Sequence, residues 1–395
     1  MSNVSDTRAA GITSVPDGRD ERFAAVTMAG DLAFVAGVEG RFAPGSAELD
    51  RDSFRDGVRQ SRNAYTELVR RLEQAGLSAR HLVRVENLTA SQDFRLKRMA
   101  LWPEIFGRPT QAVSQGAQTK MRGQNMITAT GVAYRDPGDI EVITAGPDQG
   151  RASRISRAGS WYFVIGVRGE KLLGTGEKAV DDVPDPLAVQ ADFAYRNIEH
   201  HLAAAGLSRG NLVRYDCYLR DISQAMRHRD IRTGHFDGRM PVSSTVVGCA
   251  LGGSTDVELS AMAVGDGLPV ETVFYPGRAD LARTVRAGDF VFASGALGNR
   301  NVAGKPVPEA FGNPPRQLDL ALERIEASLG DFGANLADVV RLDVFIRDAY
   351  GESAARDLLA GRFAGLVPAT TFTGCELEPS AEVEVTAIAY KRAGA

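Results

Sequence analysis

The chain has 395 residues, 44% hydrophobic and 24% charged, a composition that excludes one small domain and excludes disorder over most of the length. Lys and Arg number 46 against 50 Asp and Glu, a net charge of −4, so no global field draws the protein to nucleic acid or an anionic membrane. The three cysteines, Cys217, Cys249 and Cys375, cannot make a disulfide framework or a Cys-based zinc site; with neither a signal-like N-terminus nor a run of 18 apolar residues, the expected location is cytoplasmic.

In chain order, the first recognisable element is AGDLAFVAGVEG from Ala29, which recurs as AGSWYFVIGVRG from Ala158 and AGDFVFASGALG from Ala287, both steps being 129 residues. Aromatic and β-branched residues after a turn make Leu32 to Val38 the second strand of a hairpin. Phe54, Val58, Tyr65, Leu68 and Leu72 follow at helical spacing and stop before Gly76, the expected C-terminal cap. The counterpart helices open with Asp185 before Pro186 and Asn313 before Pro314, an N-cap residue followed by a first-turn proline. Next come the strands VRVENL, VRYDCYLRD and VRLDVFIRD, which place Arg84, Arg214 and Arg341 in register. A second short helix is expected over Phe94 to Phe106 and its equivalents. A block starting at Pro109, Pro241 and Pro368 and a final strand (NMITATGVAY, VELSAMAV, VEVTAIAY) close each unit.

Three markers repeated in one order define three units, roughly 20–142, 148–268 and 271–395, each of order ββαβαββ. A sheet with two helices on one face leaves its other face bare, and the two sister units are the available cover. The expected architecture is α+β, with three tandem units packed as an intramolecular pseudo-threefold trimer.

This pattern resembles the Rid family (YjgF-type enamine/imine deaminases, with a chorismate-mutase-like fold), normally homotrimers with ligand clefts between subunits. The family signature is a Pro-small-Arg stretch, a variable loop, and a strand with an apolar-Glu-apolar triplet; unit three matches it at Pro368–Ala369–Thr370–Thr371–Phe372 and Val383–Glu384–Val385. The resemblance implies that the Arg holds a substrate carboxylate, yet the matching positions are Gln111, Ser243 and Thr370. Neutral side chains replace neither the charge nor the fork of a guanidinium. The glutamate persists as Glu258 and Glu384, while unit one, degenerate here, has Thr128.

Glu258 and Glu384 are the expected catalytic acid/bases, because an apolar cleft lifts a carboxyl towards working pH; the bland alternative is a solvated strand carboxylate. The expected substrate-binding set is Ser243, Ser244, Thr370, Thr371, Gln111, Gly166, Arg168 and Gly295. Gly37, Gly166 and Gly295 fall where the resemblance brings backbone close to ligand, and two residues on the units diverge to Glu39, Arg168 and Leu297, which makes Arg168 a candidate anion anchor. Arg84 with Glu86, Arg214 with Asp216, and Arg341 with Asp343 lie two apart on one strand face and are read as an ion-pair network that fixes docking. Cys249 and Cys375 read as small buried hydrophobes. His200–His201 and His228–His235 have no metal-ligand spacing, and GTGEK at Gly174 reads as a turn.

The function expected is metal-independent and cofactor-free: hydrolysis, deamination or related proton transfer on a small enamine, imine or enol-type metabolite in a cleft between units. A chorismatase-like lyase or hydrolase acting on an enolpyruvyl substrate is the first alternative, and a non-catalytic ligand-binding or scaffold protein the second. Cyclic amide hydrolases with three repeats need a lysine in each repeat, and no lysines fall in register. No basic, aromatic-interleaved stretch supports the ribonuclease activity described for some family members. The expected partner is a small-molecule substrate, with no nucleic acid and no membrane, and the chain acts as a monomeric pseudo-trimer, to which the sequence sets no limit of higher assembly.

Overall fold

The computed structural model describes residues 11–107, 112–143, 155–179 and 185–392. The first unit runs β1 (Ile12–Asp17), β2 (Asp20–Ala29), β3 (Leu32–Glu39), α1 (Gly57–Gln74), β4 (Leu82–Thr89), α2 (Arg95–Met99), α3 (Trp102–Ile105), β5 (Val113–Gln118) and β6 (Ile127–Tyr134). The second has β7 (Ile140–Ile143), β8 (Ile155–Ala158), β9 (Trp161–Arg168), α4 (Pro186–Ala204), β10 (Leu212–Leu219), α5 (Ala225–His235), β11 (Ser243–Gly248) and β12 (Val257–Val264). The third has β13 (Val270–Tyr275), β14 (Arg278–Ala287), β15 (Phe290–Leu297), α6 (Pro314–Leu329), β16 (Val339–Ile346), α7 (Glu352–Arg362), β17 (Ala369–Gly374) and β18 (Val383–Tyr390).

Each unit forms one six-stranded sheet, of order β1-β2-β3-β6-β4-β5, β7-β8-β9-β12-β10-β11 and β13-β14-β15-β18-β16-β17. The hairpin pairing is antiparallel, Ala29 facing Leu32, and β4–β5, β10–β11 and β16–β17 are the parallel pairs. Each sheet therefore carries one strand more than the five expected. The added strands β1, β7 and β13 pair at the hairpin edge, and they start the sheets at Ile12, Ile140 and Val270. The short helix expected over Phe94 to Phe106 is split into α2 and α3, because Pro103 has no N–H to give to the preceding turn. The caps form as expected: Asp185 accepts from the Ala188 amide and Asn313 from the Arg316 amide, and Gly76 takes φ +75° after α1.

The long helices bury Tyr65, Leu68 and Leu72, then Tyr195, Ile198 and Leu202, then Leu322, Ile325 and Leu329 against their own sheets. The opposite sheet faces meet in one shared core, where Phe34, Phe163 and Phe292 supply the same position three times. Cyclic bridges tie the units together: Gln118 with Ala250, Gly248 with Glu376, and Gly374 with Lys120. Beside them an apolar cluster holds Cys249 and Cys375, both buried. Burial pushes both thiols up, which suits inert packing rather than nucleophilic chemistry.

At the centre, the three Arg–acid pairs close into a ring. Arg84 Nη2 lies 2.9 Å from Asp216, Arg214 Nη2 lies 3.3 Å from Asp343, and Arg341 Nη2 lies 2.8 Å from Glu86, while each arginine also bonds the acid two residues along its own strand. All six side chains are buried. Burial alone would raise the Asp216 carboxyl, but Arg214 and Arg84 outweigh it and hold the group at about 2. The ring ties the three units together around the axis, since undocking any one of them strands buried charges.

Candidate active site at the seams between units

Where each sheet meets the next unit, three strands bring the relevant side chains together: the strand after the hairpin turn, the closing strand, and the parallel edge strand of the neighbour. In cross-strand register Glu39 faces Thr128, Arg168 faces Glu258, and Leu297 faces Glu384. The position that diverges among the units is thus the direct partner of the signature glutamate, and neighbours at this range set each other's charge state.

In unit two, Arg168 Nε stands 2.7 Å from Glu258 Oε2, with Glu258 1% exposed. Burial would lower the Arg168 guanidinium, but Glu258 raises it. The expected anion anchor therefore spends its charge on the expected catalytic base. Unit three is different. Glu384 is buried opposite apolar Leu297, and its Oε1 accepts a 2.6 Å hydrogen bond from Thr245 Oγ1 of unit two. Burial pushes its carboxyl up to about 7; the Thr245 hydrogen bond pulls the other way, Glu378 raises it and Arg324 lowers it.

Gly295 explains how the carboxylate fits, because a Cβ there would stand 1.9 Å from Glu384 Oε1 and 3.0 Å from Thr245 Oγ1. Around it, the Ser244 amide donates to Ser294 Oγ at 3.1 Å, Arg232 donates to Ser244 Oγ at 3.3 Å, and Arg324 donates to the Leu297 carbonyl and to the Tyr275 hydroxyl.

Thr245 is a residue that sequence reasoning missed, and the cause is register. Counting forward from the proline placed Ser243 beside Thr370. Strand pairing instead sets Ser243 and Ala369 against the equivalent arginines, Arg214 and Arg341, so Ser244 matches Thr370 and Thr245 matches Thr371. Unit two has one extra residue between its proline and its glycine, and counting back from Gly248 and Gly374 finds Thr245 and Thr371 directly. Thr371 bonds Thr130 of unit one at 3.2 Å, whereas Thr370 bonds back to the Pro368 carbonyl. Ser243 is buried at the edge of β11, and Gly166 lies in β9 with φ +69°. Gln111 lies outside the described residues.

In unit one the acid has changed strand. Thr128 stands where the others carry glutamate, and Glu39, across from it, supplies the carboxylate, gripped by Arg41 at 2.9 Å. Here the seam holds a small niche of about 20 Å³, lined among others by Glu39, Arg122, Asn125, Thr128, Glu352 and Phe372. Among the described residues, no group of three or more His, Cys, Asp and Glu side chains is placed to hold a metal ion, and no helix is long and apolar enough to cross a membrane.

Three fused α+β units with chemically distinct seams define a tandem-repeat protein. The sequence model of the family described as Endoribonuclease L-PSP matches residues 153–265 and 276–391, more than half of the chain, and the chain belongs to that family, to which the Rid proteins also belong. A crystal structure of a chorismatase is similar over 78% of this chain and 93% of its own, with a TM-score of 0.52 at 15% identity, a likeness of fold alone. The structure of Escherichia coli TdcF with bound serine is 24% identical and covers 32% of this chain and 98% of its own at a TM-score of 0.28. Protein DfrA of Myxococcus xanthus is 32% identical over 82 residues, 21% of this chain, and the matched stretch spans 63% of that relative's length.

Proposed function

We propose that the protein is a metal-independent acid–base enzyme acting on a small enamine, imine or enol-type metabolite at the seam of units two and three, with Glu384 as the proton donor and acceptor. One observation carries this reading: Glu384 is a buried carboxyl without a cation across the strand, held by Thr245 from the next unit and pushed up to about 7. A group with that affinity is populated in both forms at neutral pH, as a general acid/base requires. For an imine, protonated Glu384 gives its proton to the nitrogen while water adds to the carbon. The carboxylate then recovers a proton from the adduct as ammonia leaves, and the ketone remains. Glu258 has no such freedom, because Arg168 holds its oxygen at 2.7 Å.

The test is ammonia release from 2-iminopropanoate generated in situ. Glu384→Gln keeps the acceptor for Thr245 and should lower turnover at least about 100-fold, the usual scale of one proton-transfer group, while Glu258→Gln should cost much less. Equal losses in the two variants, or none in Glu384→Gln, contradict the assignment. An inactive wild type retires the imine substrate and leaves the ligand-binding alternative.

A further inference from the structure

Units two and three carry cysteines at one equivalent position, and the strand register turns them towards each other. Gly248 and Glu376 are a doubly bonded antiparallel pair, each amide donating to the other's carbonyl, at 2.8 and 2.9 Å. One step along both strands from such a pair stand two residues that face each other without backbone bonds between them. Here they are Cys249 and Cys375. Their amides point away from each other, to the Leu219 and Ile346 carbonyls at 2.9 and 3.0 Å, as that position requires. In a regular ladder the Cα atoms of such a pair lie about 4.5 Å apart with both side chains on one face, and a disulfide spans about 4.4–6.8 Å.

The bridges of Gln118 with Ala250 and of Gly374 with Lys120 repeat the arrangement around the pseudo-threefold axis. The third residue of the set is therefore Thr119, buried, with an Oγ1 that has no hydrogen-bond partner among the described residues. Unit one offers a hydroxyl where its sisters offer thiols, so of these three contacts only that of units two and three pairs sulfur with sulfur. Both cysteines lie in one apolar cluster with Tyr218 and Phe345. Burial raises the Cys375 thiol, and Glu384 and then Cys249 add to the rise, so the pair stands near the carboxyl of the same seam. Cys217 belongs to a different core, with its Sγ 3.5 Å from His228 Nε2.

We infer that Cys249 and Cys375 are a redox modification site, a thiol pair that a peroxide converts into a disulfide stapling unit two to unit three. One sulfur takes an oxygen from the peroxide, whose O–O bond breaks to leave a sulfenic acid and one water. The second sulfur then displaces that oxygen as a second water, and the S–S bond forms. Two thiols and one hydrogen peroxide thus give one disulfide and two waters. Towards a substrate both thiols are inert, because burial keeps them protonated. The same burial sets the rate of joining, since the oxidant meets sulfur only when the seam opens locally. The staple holds β11, and Thr245 with it, against unit three, and the site stands whether or not Glu384 is the acid/base.

The test treats the full chain with hydrogen peroxide, blocks the remaining thiols and maps the peptides by mass. The folded chain should lose two hydrogens, link the Cys249 peptide to the Cys375 peptide, and keep Cys217 as a blocked thiol. Joining should be slow in buffer and several-fold faster in urea below the unfolding transition. The joined form should melt at a higher temperature than the reduced one, and dithiothreitol should reverse the rise. Cys217→Ala should oxidise as the wild type does, while Cys249→Ala and Cys375→Ala should form no internal disulfide; the wild-type map decides the question even where a variant folds poorly. A link that involves Cys217, sulfinic acid at either cysteine without a disulfide, or a Cys249–Cys375 link that forms only in the unfolded chain overturns the inference, whatever the imine assay shows.

Discussion

A single cross-strand position decides what each seam can do. Where Leu297 faces Glu384 the carboxyl is desolvated with no cation across the strand; where Arg168 faces Glu258 the charge is cancelled on the spot. Replacing Leu297 by Arg should therefore rebuild the second unit's pair in the third, drop the Glu384 pKa by about 2 units or more, and cut turnover at least tenfold, since an adjacent cation favours the ionised form; a pH–rate profile reads both effects. Gly295→Ala should displace the carboxylate, because the added methyl lands 1.9 Å from Oε1, and should lower kcat with the fold retained by circular dichroism. The pH dependence of stability has a definite sign. Folded Glu384 keeps its proton to about pH 7, while the unfolded chain releases it near 4.5. Between those values the folded state binds more protons, so stability falls as pH rises through the window, by about 3 kcal/mol at most. Glu384→Gln should lack that fall in denaturant titrations at pH 4.5 and 7.5.

The elements themselves were largely legible, and the reasons are local. Hairpin, long helix and caps follow from short-range chemistry that repeats three times, so Asp185, Asn313 and Gly76 could be assigned without tertiary information. The added edge strands could not: β13 carries Glu271 and only partly buried neighbours, and β7 is four residues long, so neither shows a burial pattern that distinguishes strand from connection. The site was half legible for a similar reason. Glu384 and Gly295 stand in motifs, but Thr245 acts across a seam whose register a one-residue insertion conceals. A repeated brace was equally invisible: Gln60, Gln190 and Gln317 each accept from the backbone amide of Met126, Asp256 or Glu382 and donate to the carbonyl of Gln124, Ser254 or Ser380. Gln317→Ala removes the bonds to the half-buried Glu382 amide and the Ser380 carbonyl at the entry to β18, and should cost about 0.5–1.5 kcal/mol by chemical denaturation.

Across the whole molecule, covalent fusion allows what a homotrimer cannot have, three different seams around one axis. The buried ring of Arg84, Arg214 and Arg341 with Glu86, Asp216 and Asp343 ties the three units together. Removing one partner leaves an uncompensated buried charge, so Arg84→Met should cost about 3–5 kcal/mol, more than replacement of the whole ring by apolar residues of like volume. With that frame held constant, the seams have settled into three electrostatic states: a carboxylate moved to Glu39 and gripped by Arg41, a cancelled pair at Glu258, and a desolvated carboxyl at Glu384. The most direct measurement is a carbon-13 titration of the side-chain carboxyls in glutamate-labelled protein, with Glu384→Gln and Glu258→Gln to assign the signals. The account predicts a carboxyl signal titrating near pH 7 that vanishes in Glu384→Gln and persists in Glu258→Gln. A Glu384 signal that titrates near 4.5, like an ordinary glutamate, would contradict it.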